Sequence, residues 1–182
     1  MFGKTLSAFP LSAKICCTLF LLGIGLGNLA AFTQAATAIG LSYGDVAASL
    51  EPEMPMTHMG HGQMSGEKEI SLGDIKDTAK AWIRTPLLIQ TSHTHLFGQT
   101  LIAGLLGLLF LFASLSEWKK SLVISLPFVG TMLDIGSMWL TRFVWQPFAA
   151  LVLVGGSVFA LGYLLITLIS LYQLWLKKEV SL

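Results

Sequence analysis

Four stretches of the chain are long and apolar with few interruptions: about residues 15–41, 96–115, 121–140 and 147–176. A hydrocarbon core of about 30 Å takes about 20 residues of helix to cross. Inside lipid the backbone must satisfy its own hydrogen bonds, so each stretch is expected to be a transmembrane helix. No alternation of polar and apolar positions suggests membrane strands. The expected fold is all-α: an integral membrane four-helix bundle with a long external loop.

Between the first two spans the pattern changes. Residues 42–55 are mixed and acidic. Residues 71–84 place Leu72, Ile75, Ala79, Trp82 and Ile83 at helical spacing, with Asp74, Lys76, Asp77 and Lys80 on the opposite face. That spacing predicts a short amphipathic helix on the membrane surface. Thr85-Pro86 then suits a cap followed by a first-turn proline. The chain therefore divides into residues 1–41, a first transmembrane helix; 42–85, the external loop with its interfacial helix; and 86–178, a three-helix transmembrane region.

Composition agrees. Of 182 residues, 54% are hydrophobic and 12% charged, net charge is +1, and mean hydropathy is +0.73. A soluble domain carries roughly twice that charged fraction. No basic field points to nucleic acid. Cys16 and Cys17 are adjacent and imply no disulfide framework.

Positive charge sets the expected orientation. Lys4, Lys14, Lys119, Lys120, Lys177 and Lys178 share one side if both termini are cytoplasmic. Residues 42–90 are then periplasmic in a bacterial inner membrane. Residues 1–38 have a rival reading as a cleaved signal peptide, with a basic start, an apolar centre and the exit Ala36-Thr37-Ala38. Retention as a helix is the preferred reading.

The most unusual segment is MPMTHMGHGQM, residues 54–64. Met54, Met56, Met59 and Met64 alternate with His58 and His61 among small residues. Thioethers and imidazoles together suit copper, and Cu(I) prefers the soft sulfur. The competing readings are a plain polar loop and a site for another metal.

Polar groups also gather near the expected outer ends of the helices. His93 and His95 open the second span, and Gln99 shares the face of His95. Asp134 falls within the third span, roughly 9 Å below its outer boundary at 1.5 Å per residue. A carboxylate there usually faces a partner or a watery cavity. Met138 is read as level with His95, and Arg142 as the cap of the third helix. The expected inner half is almost wholly Leu, Phe, Ile, Val and Gly. His93, His95, Gln99 and Asp134 are thus the candidate cofactor-binding residues. A metal site, a haem b with an imidazole ligand, and a quinone pocket all fit them. So does structural pairing of Asp134 with His95 or Arg142. Gly98, Gly104, Gly107, Gly155, Gly156 and Gly162 suggest close helix packing.

The stretch SHTHLFGQTLIAGLLGLLFLFAS, followed by WKKSLVISLPFVGTMLDIGSMWLTRF, resembles a group of uncharacterised bacterial four-helix inner-membrane proteins. They share a Ser/Thr-His-x-His-Leu-Phe-Gly opening and a following Pro-Phe-x-Gly…Asp segment. The resemblance covers roughly residues 85–176. It implies the helical architecture, singles out His93, His95, Gly98 and Asp134, and implies no activity. No hydrolase, kinase, nucleotide-binding or protease motif is present.

Three functions follow as expectations. The first is external copper binding or a redox accessory role, with Met54, Met56, His58, Met59, His61 and Met64 as ligands. The second is a haem b- or quinone-binding subunit of a respiratory assembly. The third is a ligand-free structural subunit. Partners expected are the lipid bilayer and a membrane protein or a second copy of the chain, without nucleic acid.

Overall fold

A computed structural model of the protein describes residues 5–51 and 85–177. All regular structure among the described residues is helical, and four of these helices are long and apolar enough to cross a membrane. The protein is a four-helix integral membrane protein. α1 spans Leu11–Ala38, α2 Tyr43–Ser49, α3 Thr85–Phe110, α4 Glu117–Phe143 and α5 Ala149–Trp175, with single 3-10 turns at Leu6–Ala8 and Gln146–Phe148. The expected interfacial helix at 71–84 and the Met/His segment at 54–64 lie outside the described residues.

α4 and α5 form the central pair, and glycine is the reason. A Cβ added to Gly155 would strike the backbone of Asp134, and one added to Gly130 would strike that of Phe159. A Cβ on Gly162 would lie 2.6 Å from the Pro127 ring. Water drives no helix association within lipid, so close backbone approach and dispersion must supply it. Of the glycines expected to pack closely, Gly107, Gly155 and Gly162 do, with Gly130 in addition. Gly98, Gly104 and Gly156 have open space around them. Pro127 lies inside α4 and is buried against α5, which membrane helices tolerate more readily than soluble ones.

α3 lies antiparallel against α4. Trp139 Nε1 donates to Ser92 Oγ at 2.8 Å, and further along, a Cβ on Gly107 would lie 3.2 Å from Ile124. The described part of α3 runs from Thr85, with Pro86 next to it, and stops at Phe110. Residues 111–115, apolar enough to continue the span, instead form the turn into α4.

α1 is the outlying helix. Nearly all of its surface is uncovered by the rest of the chain, and Leu21 is its one buried residue. Tyr163 donates its hydroxyl proton to the Leu21 carbonyl at 2.8 Å. Trp175 Nε1 reaches Thr18 Oγ1 at 3.0 Å. α1 ends where Gly40 adopts a φ of 100° and its N–H bonds the Ala35 carbonyl, a left-handed stop that suits glycine.

α2 follows at once and was not expected. Ser42 caps it: Oγ accepts from the Asp45 N–H at 3.1 Å and donates to Asp45 Oδ2 at 2.7 Å. Its apolar side, Val46, Ala47 and Leu50, buries against Leu88, Ile135, Met138, Ala149 and Val152. α2 thereby plugs one end of the bundle. A second cluster, built on Leu6, Leu21, Leu106, Phe110, Ala113, Ile166 and Leu174, fills the other end.

Candidate functional site

The end closed by α2 carries the most concentrated polar chemistry among the described residues. Arg142, in the last turn of α4, is 4% exposed. Its guanidinium donates to the Glu51 backbone carbonyl and, at 3.2 Å, to Thr85 Oγ1. Gln146 Nε2 donates to Glu51 Oε1 at 3.0 Å. A guanidinium carries five donors in a planar fork, so one side chain can serve several acceptors. Arg142 does not sit outside the helix as a simple cap. It turns inward and joins the chain just after α2 to the start of α3. Gln146 and Ser92 were not singled out in the sequence, and Thr85 only as a helix cap, because their roles depend on which distant residue meets them.

Two turns nearer the middle, α3 presents His93 and His95. Both are exposed among the described residues, but two positions apart on a helix they point in widely different directions. The His93 ring stacks on Phe97, with centroids 6.4 Å apart. Met138 points the other way, into the apolar cluster beneath α2. The methionine and the two imidazoles therefore lie on different sides of α3 and α4.

Asp134 is 9% exposed on α4, opposite Gly155. Neither His95 nor Arg142 pairs with it, and among the described residues its carboxyl makes no hydrogen bond or ion pair. Gln99, on the covered side of α3, has a buried Oε1 without a donor. Among the described residues no three His, Cys, Asp or Glu side chains converge as a metal site would require.

Polar groups are not confined to one half of the bundle. Gln173 is buried at the other end, where its Oε1 accepts from the Ser114 N–H at 2.7 Å. Ser170 and Thr167 are on the same helix, each with a buried, unpaired hydroxyl oxygen. Cys16 and Cys17 are free thiols on α1, one exposed and one half-buried.

A family model described as the Aq_1264_TM transmembrane helical domain matches residues 75–181, more than half of the chain. The chain belongs to this family. The match takes in His93, His95, Gln99, Asp134 and Arg142, and all of α3, α4 and α5. Residues 54–64 lie before it. The transmembrane helical domain of the family thus corresponds to the packed three-helix unit, with α1 and α2 added ahead of it. No curated protein and no solved structure matches the chain.

Proposed function

We propose that this membrane protein binds copper through its Met/His segment, with Met54, Met56, His58, Met59, His61 and Met64 as ligands, at the bundle end marked by Arg142. On the charge pattern it resides in a bacterial inner membrane with both termini cytoplasmic and residues 42–90 periplasmic. Copper passes from the segment to His93 or His95.

The observation that supports this reading is that Arg142 hydrogen-bonds to both Glu51 and Thr85. Glu51 and Thr85 are the described residues on either side of segment 52–84, and Arg142 bonds both. The described residues that precede and follow the stretch holding these thioethers and imidazoles thus meet at one side chain. His93 and His95 begin about 12 Å further along α3, at 1.5 Å per residue. Soft sulfur ligands select Cu(I), and thioethers need no deprotonation to bind it.

The test is a Cu(I) competition titration of the detergent-purified full chain against a chromogenic chelator. Saturable binding by the wild type is expected, with loss in a variant whose four segment methionines are leucine. Absence of Cu(I) binding by the wild type ends this reading.

A second reading rests on the exposure of His93 and His95. An exposed imidazole on α3 could meet a ligand brought by another chain, as in a haem b- or quinone-binding subunit of a respiratory assembly. A Soret band lost on His95→Ala is the expected sign. A colourless, quinone-free preparation from native membranes removes it.

A further inference from the structure

The end of the bundle away from Arg142 carries an excess of positive charge. Gln173 Oε1 accepts from the Ser114 N–H, and Trp175 Nε1 donates to Thr18 Oγ1. The end of α5, the turn between α3 and α4, and the first part of α1 therefore share this end. With them come Lys14, Lys119, Lys120 and Lys177, against Glu117 among the described acids. Glu117 pairs with Lys120, which also reaches the Leu111 carbonyl. The ammonium groups of Lys14, Lys119 and Lys177 have no partner among the described residues. The flanking sequence adds Lys4, Lys178 and Glu179, which lie outside the described residues and leave the balance positive.

Lys14 differs from a lysine standing free on the surface. It is half-buried, and it lies one turn before Thr18 on the same stripe of α1. That stripe, with Thr18, Leu21 and Gly25, is the one that meets Trp175 and Tyr163 of α5. Lys177 is exposed and follows Trp175 by two residues. The Thr18–Trp175 bond thus places a lysine on each side of one junction: Lys14 about 6 Å along α1, and Lys177 just past α5. A lysine carries its charge on a flexible four-carbon stem, so the two can reach a single anion.

Beyond the bond the same junction is apolar and open. Leu22 continues the face of Thr18 and is 53% exposed. Leu168 lies two turns back from Trp175 on its face and is 57% exposed. Cations outermost, then an indole, then leucines: this order matches the headgroup, interface and chains of a phospholipid. A small anion would meet the lysines and leave the leucines uncovered. A second copy docked here about a two-fold axis would set lysine against lysine.

We propose that the α1–α5 junction binds an anionic phospholipid, its phosphate between Lys14 and Lys177, its headgroup beside Trp175 and an acyl chain along Leu22 and Leu168. The lipid fastens α1, whose one buried residue is Leu21, to the packed three-helix unit. The site is independent of copper binding.

Native mass spectrometry of the detergent-purified full chain tests this, with phosphatidylglycerol and phosphatidylcholine of matched chains as probes. The wild type retains one phosphatidylglycerol in preference to phosphatidylcholine. Lys14→Gln and Lys177→Gln each weaken that binding about fivefold, the effect of one lysine near anionic headgroups. Lys119→Gln removes a cation from the same end but outside the junction, and leaves binding unchanged. Glycerol 3-phosphate, which has the anion without the chains, does not displace the lipid. Equal retention of the two lipids by the wild type overturns the proposal, whatever the variants do. So does a loss on Lys119→Gln as large as on Lys14→Gln, which would mean diffuse surface charge. Displacement by glycerol 3-phosphate would mean a free-anion site, and a dimer formed as lipid is lost would mean a second copy; either overturns it.

Discussion

The two ends of the bundle are closed by different physical means. At the Arg142 end a charged side chain reaches two separate segments, and a short helix, α2, lays its apolar side over the gap. At the Gln173 end a neutral amide accepts from the Ser114 N–H, and the Leu6 N–H bonds the Phe112 carbonyl at 3.0 Å. Leu6 fills the apolar space there, and Phe9 meets Phe112 edge-on at 5.4 Å. Lys120 also reaches the Leu111 carbonyl at 3.3 Å while pairing with Glu117 at 2.7 Å. The first end depends on one buried cation. The second divides the same task among several weaker contacts. Loss of one group should therefore be felt much more at the first end than at the second.

The largest expected effect comes from the seam that both ends share. Gly155→Leu drives a side chain into the α4 backbone, which has no rotamer to change. Its cost should exceed about 3 kcal/mol, with both ends loosening together in reversible detergent unfolding. If it unfolds no more easily than the wild type, the two ends are not joined through α4 and α5.

Arg142→Ala is expected next, at about 3 kcal/mol, since bonds from a charged donor are the strong ones and the acceptors are left behind. Hydrogen exchange should rise in α2 and leave residues 6–9 unchanged. Equal exchange at both ends would erase the contrast. Gln173→Leu leaves only the Ser114 N–H without its acceptor, a loss of about 1–2 kcal/mol. Exchange should then rise near residues 111–116 and not in α2. Trp175→Phe is the smallest, because its bond to Thr18 is exposed. Its effect on thermal unfolding should stay within about 0.5 kcal/mol. A larger change would mean that α1 is held more firmly than its sparse contacts indicate.

Much of the architecture could be read along the chain. The spans read at 15–41, 121–140 and 147–176 appear as Leu11–Ala38, Glu117–Phe143 and Ala149–Trp175. The second was misjudged at its far end, because residues 111–115 are apolar whether they continue a helix or turn back. α2 was passed over although Ser42 and Asp45 have the spacing of a cap. Seven residues give no hydrophobic period strong enough to outweigh an acidic, mixed composition. The site was less legible. His93, His95, Gln99 and Asp134 could be named as unusual residues for a span. Their partners could not, and the supposed neighbours of Asp134 turned out to face elsewhere.

By itself the sequence determined that this is a membrane protein with four helices long and apolar enough to cross a bilayer among the described residues, because spanning length and backbone satisfaction are properties of a local stretch in lipid. Tertiary structure decided which glycines close the α4–α5 seam, that Arg142 turns to Glu51 and Thr85, and that among the described residues the Asp134 carboxyl and Gln99 Oε1 have no hydrogen-bond partner. Those outcomes depend on helix rotation and register. In a chain apolar on nearly every side, periodicity fixes neither, and only the packing of one helix on another does.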